Sequence, residues 1–156
     1  MPLIAPYKDG KALMLRMTPY KNTNFTDAEA KITLGMSVEE NGKEVNKFYS
    51  LDLEFHKINL LTLSWTLVHP INEKSPLFQF TKEDFENVEG EILVFVKTFD
   101  DMFSTTVATS TSYTFKELIY GAKFDLMYSE NEDKTKTILH LDKLNSFQLV
   151  DLDKFI

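Results

Sequence analysis

Few residues in this chain have both the type and the spacing for covalent chemistry. His56, His69 and His140 are scattered, and none has a second ligand residue at the helical i, i+4 spacing that a zinc site needs. No metal centre is expected. Ser64 and His69 sit five residues apart on one predicted strand, far beyond the hydrogen-bond reach of a nucleophile and its base. Asp100 and Asp101 are adjacent acids of the kind that do acid–base or metal work, but neighbouring acids in a loop are more often a solvated charge cluster. With 5 glycines there is no glycine-rich phosphate loop, and with 0 cysteines there is no thiolate catalysis, disulfide or cysteine-bound metal. The residues argue for a protein that is not an enzyme.

The elements that must carry any site are mostly strands. Residues 61–68 alternate Leu61, Leu63, Trp65 and Leu67 against polar neighbours, so the only tryptophan should point into a core. His69-Pro70 then removes a ladder donor, so that strand should end there or continue only as a sheet edge. Ala28, Ala30, Ile32, Leu34 and Met36 give a second clean alternation. Leu13, Leu15 and Met17 follow an Asp-Gly turn, and Leu51, Leu53 and Phe55 follow the turn at Asn41-Gly42. Residues 91–96 are apolar on both faces, which predicts a central strand buried twice, in a sandwich or against a neighbouring subunit. After it, residues 97–103 break pattern and read as a loop exposing Phe99, Met102 and Phe103 near two acids. Residues 104–113, rich in Ser and Thr, read as a strand. Thr81 should cap one helical turn, and Thr114 with Glu117 should open a short helix that Gly121 ends. Residues 124–128 and 137–141 complete the pattern as two strands around a polar turn. Strands at regular intervals with little helix indicate an all-β sandwich with one or two short helices, spanning residues 1–156 as one domain.

Composition bounds the partners. The 156 residues are 43% hydrophobic, enough for a real core. The formal charge of −7 and isoelectric point near 5.0 offer no basic stripe for nucleic acid. No run of about 18 apolar residues encodes a transmembrane helix, so the chain as given is expected to be soluble. A strand starting within a few residues of Met1 suggests a piece trimmed from a longer polypeptide.

The run Ser64-Trp-Thr-Leu-Val-His-Pro-Ile-Asn-Glu-Lys-Ser-Pro-Leu77 is similar to the Ser-Trp-Thr-x-x-His-Pro-Ile-Asp-Glu-x-Ser-Pro-Leu run of the prokaryotic inward-rectifier potassium channels, and further motifs resemble that family in order. Ile4-Ala-Pro-Tyr-Lys-Asp-Gly-Lys-Ala-Leu-Met-Leu-Arg16 resembles its Ile-Ala-Pro opening, with one extra residue in the turn. Thr111-Ser-Tyr-Thr-Phe-Lys-Glu-Leu-Ile-Tyr-Gly121 resembles its Thr-Ser-Tyr-Thr stretch. The resemblance covers residues 3 to 128. It implies a cytoplasmic immunoglobulin-like β-sandwich that assembles as a homotetramer beneath a transmembrane pore domain of the same chain, at the cytoplasmic face of the cell membrane. That ring lengthens the path of potassium ions and helps gate it.

The resemblance also assigns residues. The family's pore-facing acid falls on Asp27, with Glu29 expected on the same face, so four copies would gather eight acids. Such a ring attracts cations and, in eukaryotic relatives, magnesium or polyamines that block. A second acidic position falls on Lys97, which weakens the case for strong block. The loop that narrows the cytoplasmic pore corresponds to residues 99–106: Phe99, Asp100, Asp101, Met102, Phe103 and Ser104 with the two threonines after them. Lys21 and Lys123 match basic positions that face anionic lipid, while Ser110 replaces an arginine there. Trp65, His69 and Pro70 are structural. The rival is a free-standing sandwich that binds a protein or small ligand through its Ser/Thr-rich face.

Overall fold

The computed structural model describes residues 1–19, 25–61 and 63–154. Two antiparallel sheets face each other across one core. The first runs in the order β6-β2-β1-β9, from β1 (Leu3–Tyr7), β2 (Gly10–Met17), β6 (Trp65–Ile71) and the two-residue β9 (Ile119–Tyr120), which lies parallel to β1. The second is built on β3 (Phe25–Glu40), whose one edge is shared by β4 (Lys43–Leu51) and β5 (Lys57–Leu61) and whose other edge pairs with β7 (Gly90–Asp100) and then β8 (Thr105–Thr114). Ile4, Leu13 and Leu67 from one sheet and Ile32, Leu34 and Ile92 from the other are fully buried in a single cluster, so this is the all-β sandwich that the alternation predicts.

Local chemistry explains most of the boundaries. The β3–β4 turn places Asn41 and Gly42 at φ 53° and 77°, the two left-handed positions that a tight hairpin demands. Helix α1 (Lys82–Asn87) begins at Thr81, whose hydroxyl accepts from the Asp84 amide while the Asp84 carboxylate accepts from the Thr81 amide. Its Phe85 joins Phe80, Phe115 and Tyr120 in an edge-to-face aromatic cluster, with the Phe85 and Phe115 centroids 5.3 Å apart.

Several sequence expectations are revised; among them, residues 97–100, read as part of a loop, close β7, and residues 125–127, read as strand, lie between two short strands. The alternation over residues 61–68 is not one strand: Leu61 ends β5 in one sheet and Trp65 opens β6 in the other. Both are buried, but Leu63 at the crossing is exposed. Strand β6 then runs through His69 and Pro70 to Ile71 as the outermost strand of its sheet, where a missing amide is harmless. The strand expected at 51–55 lies earlier, as β4. Residues 52–56 cross between β4 and β5, with the Glu54 amide donating to the Val68 carbonyl and Phe55 exposed. Strand β7 is central by pairing, yet only its inward residues are buried in the chain, since Phe95 is exposed and Leu93 half-buried. The helix at 114–121 is a single 3-10 turn, Phe115–Glu117, because the chain must extend from Leu118 to pair with β1.

Gly121 does not end that turn. Its φ of 79° lets the Val150 carbonyl approach a position where a Cβ would stand 2.7 Å away. The last quarter of the chain adds two small pairs, β10 (Ala122–Phe124) with β13 (Phe147–Leu149) and β11 (Tyr128–Glu130) with β12 (Thr137–Leu139). Among the described residues, no helix is long and apolar enough to cross a membrane.

Candidate functional site

Of the charged residues singled out from the sequence, Glu29 and Lys97 share the outer face of the β3–β7–β8 sheet. Inward positions of β3 are Ala28, Ala30, Ile32 and Leu34, all buried, so Glu29 and Lys31 face outward. Between Thr26 and Glu29 the register with β7 slips by one residue, and Asp27 takes a φ of 50°. This is a β-bulge, which leaves Asp27 exposed and re-aims the strand at that point. Two-residue alternation therefore does not carry from Asp27 to Glu29. Glu29 lies opposite Lys97 on β7, and Lys97 lies opposite Ala108 on β8.

The segment 99–106 is the tip of the β7–β8 hairpin. Phe99 and Asp100 are the last residues of β7, Thr105 and Thr106 the first of β8, and the turn itself is residues 101–104. Ser104 closes it at a φ of 49°. Asp100 and Asp101 have unrelated environments. The Asp100 carboxylate is buried and accepts the Met102 amide at 2.9 Å, holding the turn, whereas Asp101 is exposed. Met102 and Phe103 are 70% and 72% exposed, an apolar tip left uncovered by the described residues; Phe99 is half-buried on the strand.

Lys123 is exposed on β10 opposite Gln148, and Ser110 is exposed on β8. Lys21 lies outside the described residues. Among those residues, no group of three or more His, Asp or Glu could hold a metal ion.

The sequence missed one serine–histidine pair. His69 is buried with its Nδ1 2.6 Å from the Asp52 carbonyl and its Nε2 2.7 Å from the Ser75 hydroxyl. A carbonyl only accepts, so Nδ1 carries the proton and Ser75 donates to Nε2, while its oxygen accepts the Leu77 amide at 3.1 Å. Burial lowers the His69 pKa, opposed in part by Asp52. Every hydrogen bond of the pair is spent on tying β6 to the 52–56 crossing and to the turn before Leu77. The signal was the His-Pro-x-x-x-x-Ser spacing, which a turn folds back on itself.

Trp65 is 7% exposed in the core, and Pro70 pairs with Ala12 at the sheet edge.

Comparison with known proteins accounts for the pattern. Over residues 3–155 the chain matches the family described as the inward rectifier potassium channel C-terminal domain. The inward rectifier potassium channel Kirbac3.1 of Paramagnetospirillum magnetotacticum is 27% identical over 123 residues, 78% of this chain and 42% of that protein. The ATP-sensitive inward rectifier potassium channel 12 of Gallus gallus is 25% identical over 140 residues, 85% of this chain and 32% of that protein. The human inward rectifier potassium channel 18 gives the same figures, 25%, 85% and 32%. The chain thus spans between 32% and 42% of the length of these relatives. With nearly its whole length matched and the sandwich in place, the chain belongs to the inward rectifier potassium channel C-terminal domain family.

Proposed function

We propose that this chain is the cytoplasmic domain of an inward-rectifier potassium channel, working as a homotetramer at the inner face of the cell membrane below a pore domain in the same polypeptide. The observation that carries the reading is the family match over residues 3–155 on a β-sandwich with an exposed apolar hairpin tip. In this reading the role is electrostatic and mechanical, not enzymatic. Asp27 and Glu29 raise the concentration of potassium ions entering the path, and magnesium or polyamines are the candidate blockers. Met102 and Phe103, at the tip of a hairpin held by Asp100, form the hydrophobic constriction toward the membrane. The rigid sandwiches move as units and pass a rotation or tilt to the pore above. Lys21 and Lys123 are the candidate contacts to anionic lipid.

The test is direct. The reading frame upstream should encode two apolar spans around a Thr-x-Gly-Tyr/Phe-Gly filter, and the whole channel in liposomes should pass potassium. Asp27→Asn with Glu29→Gln should lower conductance or block, and Met102→Ser with Phe103→Ser should hold the path open. A native start at Met1 with no such spans would refute the channel. It would favour a free-standing binding sandwich, for which the observation is an apolar cleft of about 300 Å³ between the sheets, lined by Leu15, Phe25, Val94, Val107 and Tyr113 beside the threonines of β8.

A further inference from the structure

The two sheets do not end together. Strand β8 is the last strand of its sheet, and its pairing with β7 sets Thr111 opposite Val94, Thr109 opposite Val96 and Val107 opposite Thr98. Directly opposed residues share a sheet face, so all six point toward the other sheet. Val94, Val96 and Thr98 are buried, yet Val107, Thr109 and Thr111 are exposed, so the other sheet covers β7 and stops short of β8. Beneath this overhang lies the cleft of about 300 Å³, with Leu15 and Met17 of β2 on its opposite wall.

Each opposed pair on the β7–β8 wall joins one valine to one threonine, so hydroxyls are set into an apolar surface. Thr98 is 7% exposed. The other buried polar residues, His69, Ser75 and Asp100, are hydrogen-bonded through their side chains, whereas among the described residues the Thr98 hydroxyl has no partner. A buried hydroxyl left alone is unfavourable, and an acceptor placed in the cleft would satisfy it. Free charge is missing: among the described residues the one charged side chain lining the cleft is Arg16, whose guanidinium is committed to the carbonyls of Asp125, Lys143 and Leu144. Such a space selects a neutral molecule. Its volume is at the small end for ligand sites, room for on the order of 15 non-hydrogen atoms and too little for a partner's helix.

We propose that this cleft is a regulatory site for a small, neutral, largely apolar molecule carrying a hydrogen-bond acceptor, to which Thr98 donates. The site stands on the sandwich alone, and its effect rests on the channel reading above. Thr98 and Val107 are the third opposed pair back from the turn that carries Met102 and Phe103, so the cleft lies at the root of that hairpin. A ligand bridging β2 to β7 and β8 favours the sheet spacing described here and opposes movement of the tip.

The probe is prodan, a neutral naphthyl ketone whose emission shifts to the blue when it leaves water, with anilinonaphthalene sulfonate as its anionic control. This chain should bind prodan saturably with a Kd of about 10–300 µM, and the sulfonate far more weakly. Thr98→Val keeps the shape and should weaken prodan about fivefold without lowering the melting temperature, which a merely structural role for the hydroxyl does not predict. Val107→Trp, made at an exposed position, should fill the cleft and abolish binding with the fold intact by thermal melting. In the full-length channel in liposomes, saturating prodan should lower potassium flux about twofold or more in wild type and leave Val107→Trp unchanged. An absence of saturable binding, equal binding of the sulfonate, or a Val107→Trp variant that binds like wild type would refute the site and leave the channel reading untouched. Prodan binding that falls as the chain self-associates would make the cleft an interface between copies, and the proposal fails. Flux indifferent to bound prodan refutes the regulation. A full-length protein that passes no potassium overturns the channel reading, and with it the regulation, while the binding comparison still decides the site.

Discussion

Arg16 is the most informative single substitution for the architecture, because one side chain holds the last quarter of the chain against the sandwich. From β2 its guanidinium donates to three carbonyls 109 to 128 residues away: Nε and Nη2 to Leu144 at 3.2 and 2.9 Å, Nη2 to Lys143 at 2.6 Å, and Nη1 to Asp125. It also lies 4.4 Å from the centre of the Phe124 ring. Hydrogen bonds from a charged donor contribute about 1.5–3 kcal/mol each. The site is only partly buried, so water can re-solvate the freed carbonyls. Burial also lowers the Arg16 pKa, a desolvation cost that its removal refunds. Discounting for both, Arg16→Met should cost about 2–4 kcal/mol, and a melting temperature about 5–12 °C lower for a chain of this size. Arg16→Lys should recover less than half, since one ammonium cannot span three carbonyls as the planar fork does. Urea titration gives the global figure, and amide exchange at Leu149 and Val150, whose partners are Ala122 and Gly121, reports whether the terminal unit opens first. A loss under about 0.5 kcal/mol with unchanged exchange there would refute the clamp.

Three further expectations follow from single contacts. Trp65→Ala should cost about 3–5 kcal/mol by urea titration, since the indole is buried where β5 gives way to β6. Gly90→Ala should cost about 1–3 kcal/mol, because a Cβ there would stand 2.2 Å from the Phe115 ring and push it out of the aromatic cluster, visible as lost near-ultraviolet circular dichroism. His69 makes stability depend on pH: its folded pKa is held below the ordinary 6.5, so the unfolded chain binds the proton first. That contribution is full above about pH 6.5 and is lost as pH falls toward the folded value, so the urea midpoint should drop between pH 7.5 and 5.5. The drop should be smaller in His69→Gln, and an identical drop in both would place the acid sensitivity elsewhere.

The sequence exposed the fold wherever burial is one-sided. Strand β3 alternates because one face meets the core and the other does not, and its hairpin turn shows in Asn41-Gly42. Strand β4 was placed too late for the opposite reason: residues 43–46 are exposed on both faces, so no apolar period marks them. Leu61 to Trp65 misled because both sheets point into the same core, so alternation continues while the chain changes sheets. Nothing local marks the Arg16 clamp, whose partners lie more than a hundred residues away.

The candidate site was legible as residue types and illegible as electrostatics. Asp27, Glu29 and Lys97 could be named one at a time along the chain, and counting acids alone gives a face of eight negative charges in four copies. Charge balance is a property of neighbours across strands, and those are fixed by register. A bulge at Asp27 and two pairings at Glu29 decide it, and Lys57, 28 positions away in sequence, lies opposite Glu29 just as Lys97 does. The same logic separates Asp100 from Asp101, adjacent in sequence, one locked under a turn and the other in solvent. Which charges neighbour one another on this face is therefore set by strand pairing and not by order along the chain.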